Sequence, residues 1–243
     1  MNMLDLSELI SILKTQQKCN VSPTLAIVKY GNSKDTLNYI CGIQKKAQIN
    51  NVNVIVYDFK NVPDYNILSK FKEIQKMSDF ILPVKPFPIE IKNIIICNID
   101  PFKDVDNFGN FGIFESCTAE GVLYILKYFK VPSNSKITIL GSNVGMDIHR
   151  VLMDNQYKPY ICNSRTNNIT NKIKHADVLI SCTGVRNLIT KDDVKKNSLI
   201  LDVGLGDVSN NTSDVAFITP IRNGIGALTS EILFKHIFEN FYK

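Results

Sequence analysis

The chain has 243 residues, 44% of them hydrophobic and 21% charged, with a formal net charge of +5. That length is ample for one large or two small domains around a buried core. The mild basic excess is scattered, without the patch or stripe that nucleic-acid binding needs, so the expected partners are small anions and not nucleic acid.

Six cysteines (Cys19, Cys41, Cys97, Cys117, Cys162, Cys182) show neither a CxxC pair nor a Cys/His ligand spacing. Neither disulfides nor a metal site is expected, and a reducing compartment fits. Several of these cysteines sit in apolar runs such as NIIICNI and VLISCTG, where a thiol serves as a small hydrophobe. The N-terminus carries acids early and lacks a basic-then-apolar leader pattern, and no apolar run approaches the roughly 18 residues of a membrane span. The expectation is a cytoplasmic protein with no membrane partner.

Leu4, Leu6, Leu9, Ile10 and Leu13 recur at helical spacing and predict a first amphipathic helix. TLAIVKY predicts a strand ending at Gly31, and Asp35 or Thr36 is the expected cap of the next helix, which carries Tyr39. VNVIVYDF is a strand, ILSKFKEIQKM after Pro63 a helix, and DFILPV a short strand stopped by Pro83, Pro86 and Pro88. Ile94 to Cys117 is expected to be irregular. The alternation then restarts with helix AEGVLYILKYF, strand KITILG, helix VGMDIHRVLMDN, strand PYIC and a short helix. ADVLISCTG, SLILDVGLG and VAFITP supply three more strands, and TSEILFKHIFENFYK a closing helix. The fold class is α/β, with two parallel sheets in series divided near Cys117.

KITILGSNVGMDIH reads as strand, glycine-bearing turn and helix. Gly141 and Gly145 let the backbone turn tightly and approach a ligand. The helix start offers unpaired N–H groups to a pyrophosphate, with Ser142 and Asn143 as further donors. GSNVG departs from GxGxxG, and a plain strand-to-helix turn also fits it. About twenty residues on, where an NAD site ordinarily carries an acid, the chain reads CNSRT. Ser164 and Arg165 suit a 2′-phosphate there, although a solvated surface arginine is the plainer reading. Thr183 and Gly184 of SCTG, and Leu205 of DVGLG, fall at the carboxyl ends of later strands, the edge where such sheets bind ligands. NADP is the expected cofactor and NAD the alternative.

IDPFKDVDNFGNFG mixes acids with apolar residues without helical period, which predicts a loop lining a cleft. With YICGIQKKA before it and TILGSNVG, LILDVGLG and ITPIRNGIGALT after it, the chain resembles the methylenetetrahydrofolate dehydrogenase/cyclohydrolase (FolD-like) family over nearly its whole length. IDPFKDVDNF is close to the family's IDPxKDVDGF, and LILDVGLG to its (I/V)DVG(I/L)N.

The resemblance implies a folate-binding catalytic domain of residues 1–117 plus 228–243 and an NADP-binding Rossmann-type domain of residues 118–227. The C-terminal helix then packs back on the first domain. It also implies a homodimer that oxidises 5,10-methylenetetrahydrofolate and hydrolyses the methenyl product to 10-formyltetrahydrofolate. Tyr39 falls on the tyrosine that packs against folate and Asp106 on the aspartate that holds the pterin, with Pro220, Gly224 and Gly226 in the substrate site. Gly141, Ser142, Asn143 and Gly145 fall on a slightly shortened NADP turn. Ser164 and Arg165 match the HS(R/K)T segment, Thr183 and Gly184 the next strand end, and Leu205 the residue after DVG.

Several family positions differ. YVxxK has Ile43 in place of its lysine, and QLPLP appears as VKPFP, with Val84 in place of glutamine. PCTPxG has become SCTAEG, PGGVGPMT has become RNGIGALT, and the histidine of HSRT is Asn163. Hydride transfer needs only positioned rings, because the folate nitrogen lone pair expels the hydride. Hydrolysis needs a proton carrier, which an isoleucine cannot be. Lys46 lies near Tyr39's azimuth at i+7, roughly 10 Å further along the helix, and Lys85 adjoins Val84. Three readings follow: a dehydrogenase with weak or absent hydrolysis, a bifunctional enzyme with relocated proton chemistry, or a paralogue that binds without turnover. His149, His175, His236 and Cys117 read as packing or surface residues.

Overall fold

The computed structural model describes residues 2–14 and 22–241; Cys19 lies outside them. The chain divides into two units, one of residues 15–117 and 233–243, the other of residues 1–14 and 118–232.

The first unit is built on a three-stranded parallel sheet in the order β2-β1-β3: β1 Thr24–Lys29, β2 Asn53–Asp58 and β3 Phe80–Val84. Parallel neighbours need helical crossovers. α2 (Lys34–Ile49) links β1 to β2, and α3 (Ile67–Met77) links β2 to β3. α4 (Ile89–Asn98) follows β3, so the expected irregular stretch begins only at Ile99. Ser33, and neither expected residue, caps α2, accepting a hydrogen bond from Thr36 N. Pro83 is tolerated because β3 is an edge strand, which can forgo a ladder donor. That edge is covered by the chain itself: Asp104 bridges in parallel to Ile81, and Val105 N donates to Ile81 O at 3.3 Å. Val28, Phe59, Phe71, Ile74, Ile81 and Ile95 form the buried centre.

The second unit carries a five-stranded parallel sheet in the order β5-β4-β6-β7-β8. Its strands are β4 Ile137–Leu140, β5 Tyr160–Cys162, β6 Val178–Ser181, β7 Leu199–Asp202 and β8 Phe217–Ile218. Numbered within the unit this is 2-1-3-4-5, a doubly wound order whose crevice opens between β4 and β6. α6 (Asn143–Asp154) and α7 (Ile169–Lys174) are crossovers, and α5 (Cys117–Tyr128) leads in.

The first helix, α1 (Ser7–Leu13), is shorter than the leucine spacing predicts, because the residues before it are extended. Met3 bridges to Ile218, and Leu4 N donates to Ile218 O at 2.8 Å. This pairing groups residues 1–14 with the five-stranded unit. The sequence reading had assigned them to the other domain. The closing helix α8 (Ile225–Phe241) has its division between Ile232 and Leu233, and its last turns belong to the three-stranded unit.

Candidate active site

In the five-stranded unit the nucleotide-type turn is built as the sequence predicts. Gly141 follows β4 with φ +129°, and a Cβ there would stand 2.8 Å from Cys182 O, so only glycine lets this turn lie against the end of β6. Gly145 is buried in the first turn of α6, and a Cβ would press within 3.2 Å of Ile139 Cγ2. The two glycines thus serve the tight turn and the close helix–sheet approach of a dinucleotide site. Ser142 and Asn143 are exposed at the α6 N-terminus, where the first N–H groups have no intrahelical acceptor. Ser164 and Arg165 are exposed just beyond β5, in a loop fixed by Arg165 N donating to Asn163 Oδ1 at 2.9 Å. These residues fit a dinucleotide with an extra phosphate: a cradle a side chain would fill, unpaired donors, and an arginine at the neighbouring strand end.

Asp207 underlies this crevice, and the sequence reading missed it. One carboxylate oxygen accepts from Ser181 Oγ at 2.5 Å, Thr183 N at 2.8 Å and Thr183 Oγ1 at 2.8 Å. The residue is fully buried, and its other oxygen has no partner among the described residues. Thr183 therefore shapes the loop from beneath and leaves Gly184 exposed. Asp202 ties the β7 loop by accepting from Gly206 N at 2.9 Å and Asp207 N at 3.2 Å, and burial raises its pKa. Leu205, in that loop, is exposed with φ +58°, an uncommon conformation for leucine. Burial, then the charges of Asp207 and Asp202, push the Cys182 thiol up to about 12, so it is no thiolate nucleophile at neutral pH.

The other cluster lies in the three-stranded unit. Asp106 Oδ1 accepts from Cys117 N at 2.7 Å at the start of α5. Burial raises the Asp106 pKa despite that bond. Tyr39 is 37% exposed. Burial of its hydroxyl end, then the charges of Asp106 and Cys117, keep the phenol protonated well above its usual range. His236, from the end of α8, donates through Nδ1 to Val105 O at 2.8 Å and stacks on Phe114 with ring centres 4.4 Å apart. Cys117 Sγ lies 3.6 Å from the same ring nitrogen. The histidine is a buried clamp on the Asp106 loop, which agrees with its packing role. Lys85, at the end of β3, holds its ammonium 5.4 Å from the Phe108 ring centre. A cavity of about 240 Å³ lies nearby, lined by Ile96, Asp104, Phe111 and neighbours, but touches neither Tyr39 nor Asp106.

Ile43 is buried one turn past Tyr39, and Val84 is buried at the end of β3, so apolar side chains fill the two positions where the resemblance implies lysine and glutamine. Lys46 is half-buried further along α2. Pro220, Gly224 and Gly226 belong to the five-stranded unit, unlike Tyr39 and Asp106. A Cβ on Gly224 would collide with Pro220 O, so this turn depends on glycine, whereas Gly226 has open space around it. Cys97 is exposed, although its run NIIICNI suggests a packed small hydrophobe, and Cys182 of VLISCTG is half-buried; Cys41 is exposed, and Cys117 and Cys162 are buried.

The doubly wound order and the glycine turn at its switch point define the second unit as a Rossmann-type nucleotide-binding domain. Residues 116–243 match a family profile described as the tetrahydrofolate dehydrogenase/cyclohydrolase NAD(P)-binding domain, more than half of the chain. The bifunctional protein FolD of Clostridioides difficile is 30% identical over 95% of this chain and 90% of its own length. The chain belongs to the tetrahydrofolate dehydrogenase/cyclohydrolase family. Among solved structures, the FolD dehydrogenase/cyclohydrolase of Campylobacter jejuni superposes with a TM-score of 0.81 at 24% identity, covering 97% of this chain and 92% of that one. The Trypanosoma brucei enzyme, complexed with NADP and an inhibitor, gives 0.79 at 21% identity, covering 90% and 86%. These likenesses establish the two-domain α/β fold.

Proposed function

We propose that this protein is an NADP-dependent 5,10-methylenetetrahydrofolate dehydrogenase. The observation that carries the reading is the Tyr39–Asp106–Cys117 cluster in a chain of this family. Asp106 keeps one oxygen on Cys117 N, leaving the other to accept the N–H groups of a pterin. The ring of Tyr39, partly exposed beside it, offers a stacking face.

NADP, when bound, supplies the hydride acceptor. The chain's own task in this step is to position: Gly141 and the α6 N–H groups would hold the pyrophosphate, and Ser164 with Arg165 would hold the 2′-phosphate. Leu205 would pack against the cofactor, and Pro220, Gly224 and Gly226 are the positions of this same unit that the resemblance assigns to substrate. No protein group moves a proton, since the substrate's nitrogen lone pair drives hydride loss and an amidinium remains. Positions 43 and 84 contribute no proton carrier to the hydrolytic reaction that the family's name includes. The resemblance further supports a cytoplasmic homodimer, which sedimentation of the purified chain tests.

Purified protein supplied with methylenetetrahydrofolate and NADP should gain absorbance from NADPH, with methenyl product resolved after acid quenching. Absence of turnover with NADP and with NAD overturns the reading in favour of a binding paralogue.

A further inference from the structure

We propose that Lys85 is the proton carrier for hydrolysis of the methenyl product, taking over from positions 43 and 84; this rests on the folate reading of the Tyr39–Asp106 cluster. The sheet order β2-β1-β3 has its own switch point between β1 and β3, and such crevices open at the carboxyl edge. Lys85 is the first residue past β3 on that edge. The parallel bridge of Asp104 to Ile81 sets the Asp106 segment running alongside β3 in the same direction, so it advances toward Lys85. The ammonium 5.4 Å from the Phe108 ring centre fixes its end of that path, because Phe108 is two residues past Asp106. Consistently, its positive charge acts on both Asp104 and Asp106.

Two other lysines of this unit, Lys29 and Lys103, are committed elsewhere. Lys29 Nζ donates to Asp58, Asn32 and Gly31, and Lys103 Nζ to Gln75 O and Ser78 O. Lys46 starts roughly 10 Å along α2 from Tyr39, two turns away. Lys85 is exposed, and its ammonium has no hydrogen-bond acceptor among the described residues, so its protons are available. The face of Phe108 holds the charge without consuming a donor.

Water adds its oxygen to the amidinium carbon and releases one proton to solvent. The Lys85 ammonium gives a proton to N5 as the carbon–N5 bond breaks. The resulting amine takes the remaining hydroxyl proton as the formyl carbonyl forms, which restores the ammonium. The net change is methenyl cation plus water to 10-formyl product plus one proton.

The test compares hydrolysis of supplied methenyltetrahydrofolate with oxidation of methylenetetrahydrofolate in Lys85→Gln and Lys85→Arg. Lys85→Gln should lower kcat for hydrolysis about 100-fold, the scale of general acid–base catalysis. That loss should exceed the loss in oxidation by at least about tenfold. Lys85→Arg keeps the charge but yields no proton, so it should retain KM and not restore kcat. Equal losses in both reactions, or a rise in KM alone, would mark Lys85 as a binding cation and overturn the proposal. A wild-type protein that oxidises without hydrolysing overturns it while leaving the dehydrogenase intact; one that does neither removes the folate reading itself. Thermal melts of both variants confirm folding, which an exposed position should tolerate.

Discussion

Asp106 serves as an anchor only while ionised, because a protonated carboxyl loses acceptor capacity for a pterin's N–H groups. Burial raises its pKa against the pull of the Cys117 amide, so protonation begins above the ordinary carboxylate range. We therefore expect kcat/KM for the folate to fall as pH drops through that raised value, in a limb lying above the usual 3.8. Asp106→Asn should remove the limb and cost about 10- to 100-fold in kcat/KM, the scale of a hydrogen bond to a charged group. A pH–rate profile of both proteins decides it, and an unshifted limb in the variant would assign the titration elsewhere. A second prediction concerns the residues that replaced the family pair. In a Lys85→Gln background, Ile43→Lys with Val84→Gln should raise hydrolysis if a carrier and its orienting amide suffice. Both positions are buried, so a melt must show that the protein tolerates the new polar groups.

At the scale of elements, one buried and one half-buried carboxylate hold strand ends together at the edges where ligands are read. Asp207 joins the ends of β6 and the β7 loop through three hydrogen bonds to one oxygen. Asp207→Ala should leave Ser181 and Thr183 donors unpaired at about 1–3 kcal/mol each. Its effect should appear as weaker NADP binding together with a lower urea midpoint; a change in neither would make the tie incidental. Asp58 joins β2 to β1 through Lys29, at 2.5 Å and with side-chain exposures of 14% and 8%. Burial raises the Asp58 pKa, but the Lys29 hydrogen bond and the Gly31 and Lys60 amides outweigh it, and the folded value is lowered. A lowered folded pKa stabilises above the unfolded value and is lost as pH falls through the folded one. Resistance to urea should accordingly fall in acid, below about pH 4, more steeply for the native chain than for Asp58→Asn. The variant should also lose about 1–3 kcal/mol at neutral pH, since Lys29 keeps Gly31 O and Asn32 Oδ1 as acceptors but loses its partner charge.

Across the whole molecule, features with a local period were legible and features made by distant residues were not. Alternation of β-rich and helical stretches predicts both parallel sheets, and Gly141 with Gly145 predicts the turn. Local spacing misses Asp207, because its partners are Ser181 and Thr183, and misses the pairing of Met3 with Ile218. It also misplaces the cap of α2, where Ser33, Asp35 and Thr36 all satisfy the pattern and the extended backbone falls at Ser33. The cofactor preference is the remaining whole-chain question, and linkage answers it. A ligand that binds only the folded state raises stability by about 2.7 kcal/mol at 100 times its Kd. If Arg165 grips the 2′-phosphate, NADP should raise Tm above NAD at equal concentration, and the difference should shrink with salt. Arg165→Ala should bring the NADP shift down toward that of NAD, while the melting point without cofactor moves little, because the side chain is exposed in a loop already fixed by Asn163 and Thr166. Equal shifts for the two cofactors in the native chain would remove Arg165 from the site and leave the cradle of Gly141 and α6 to bind either dinucleotide alike.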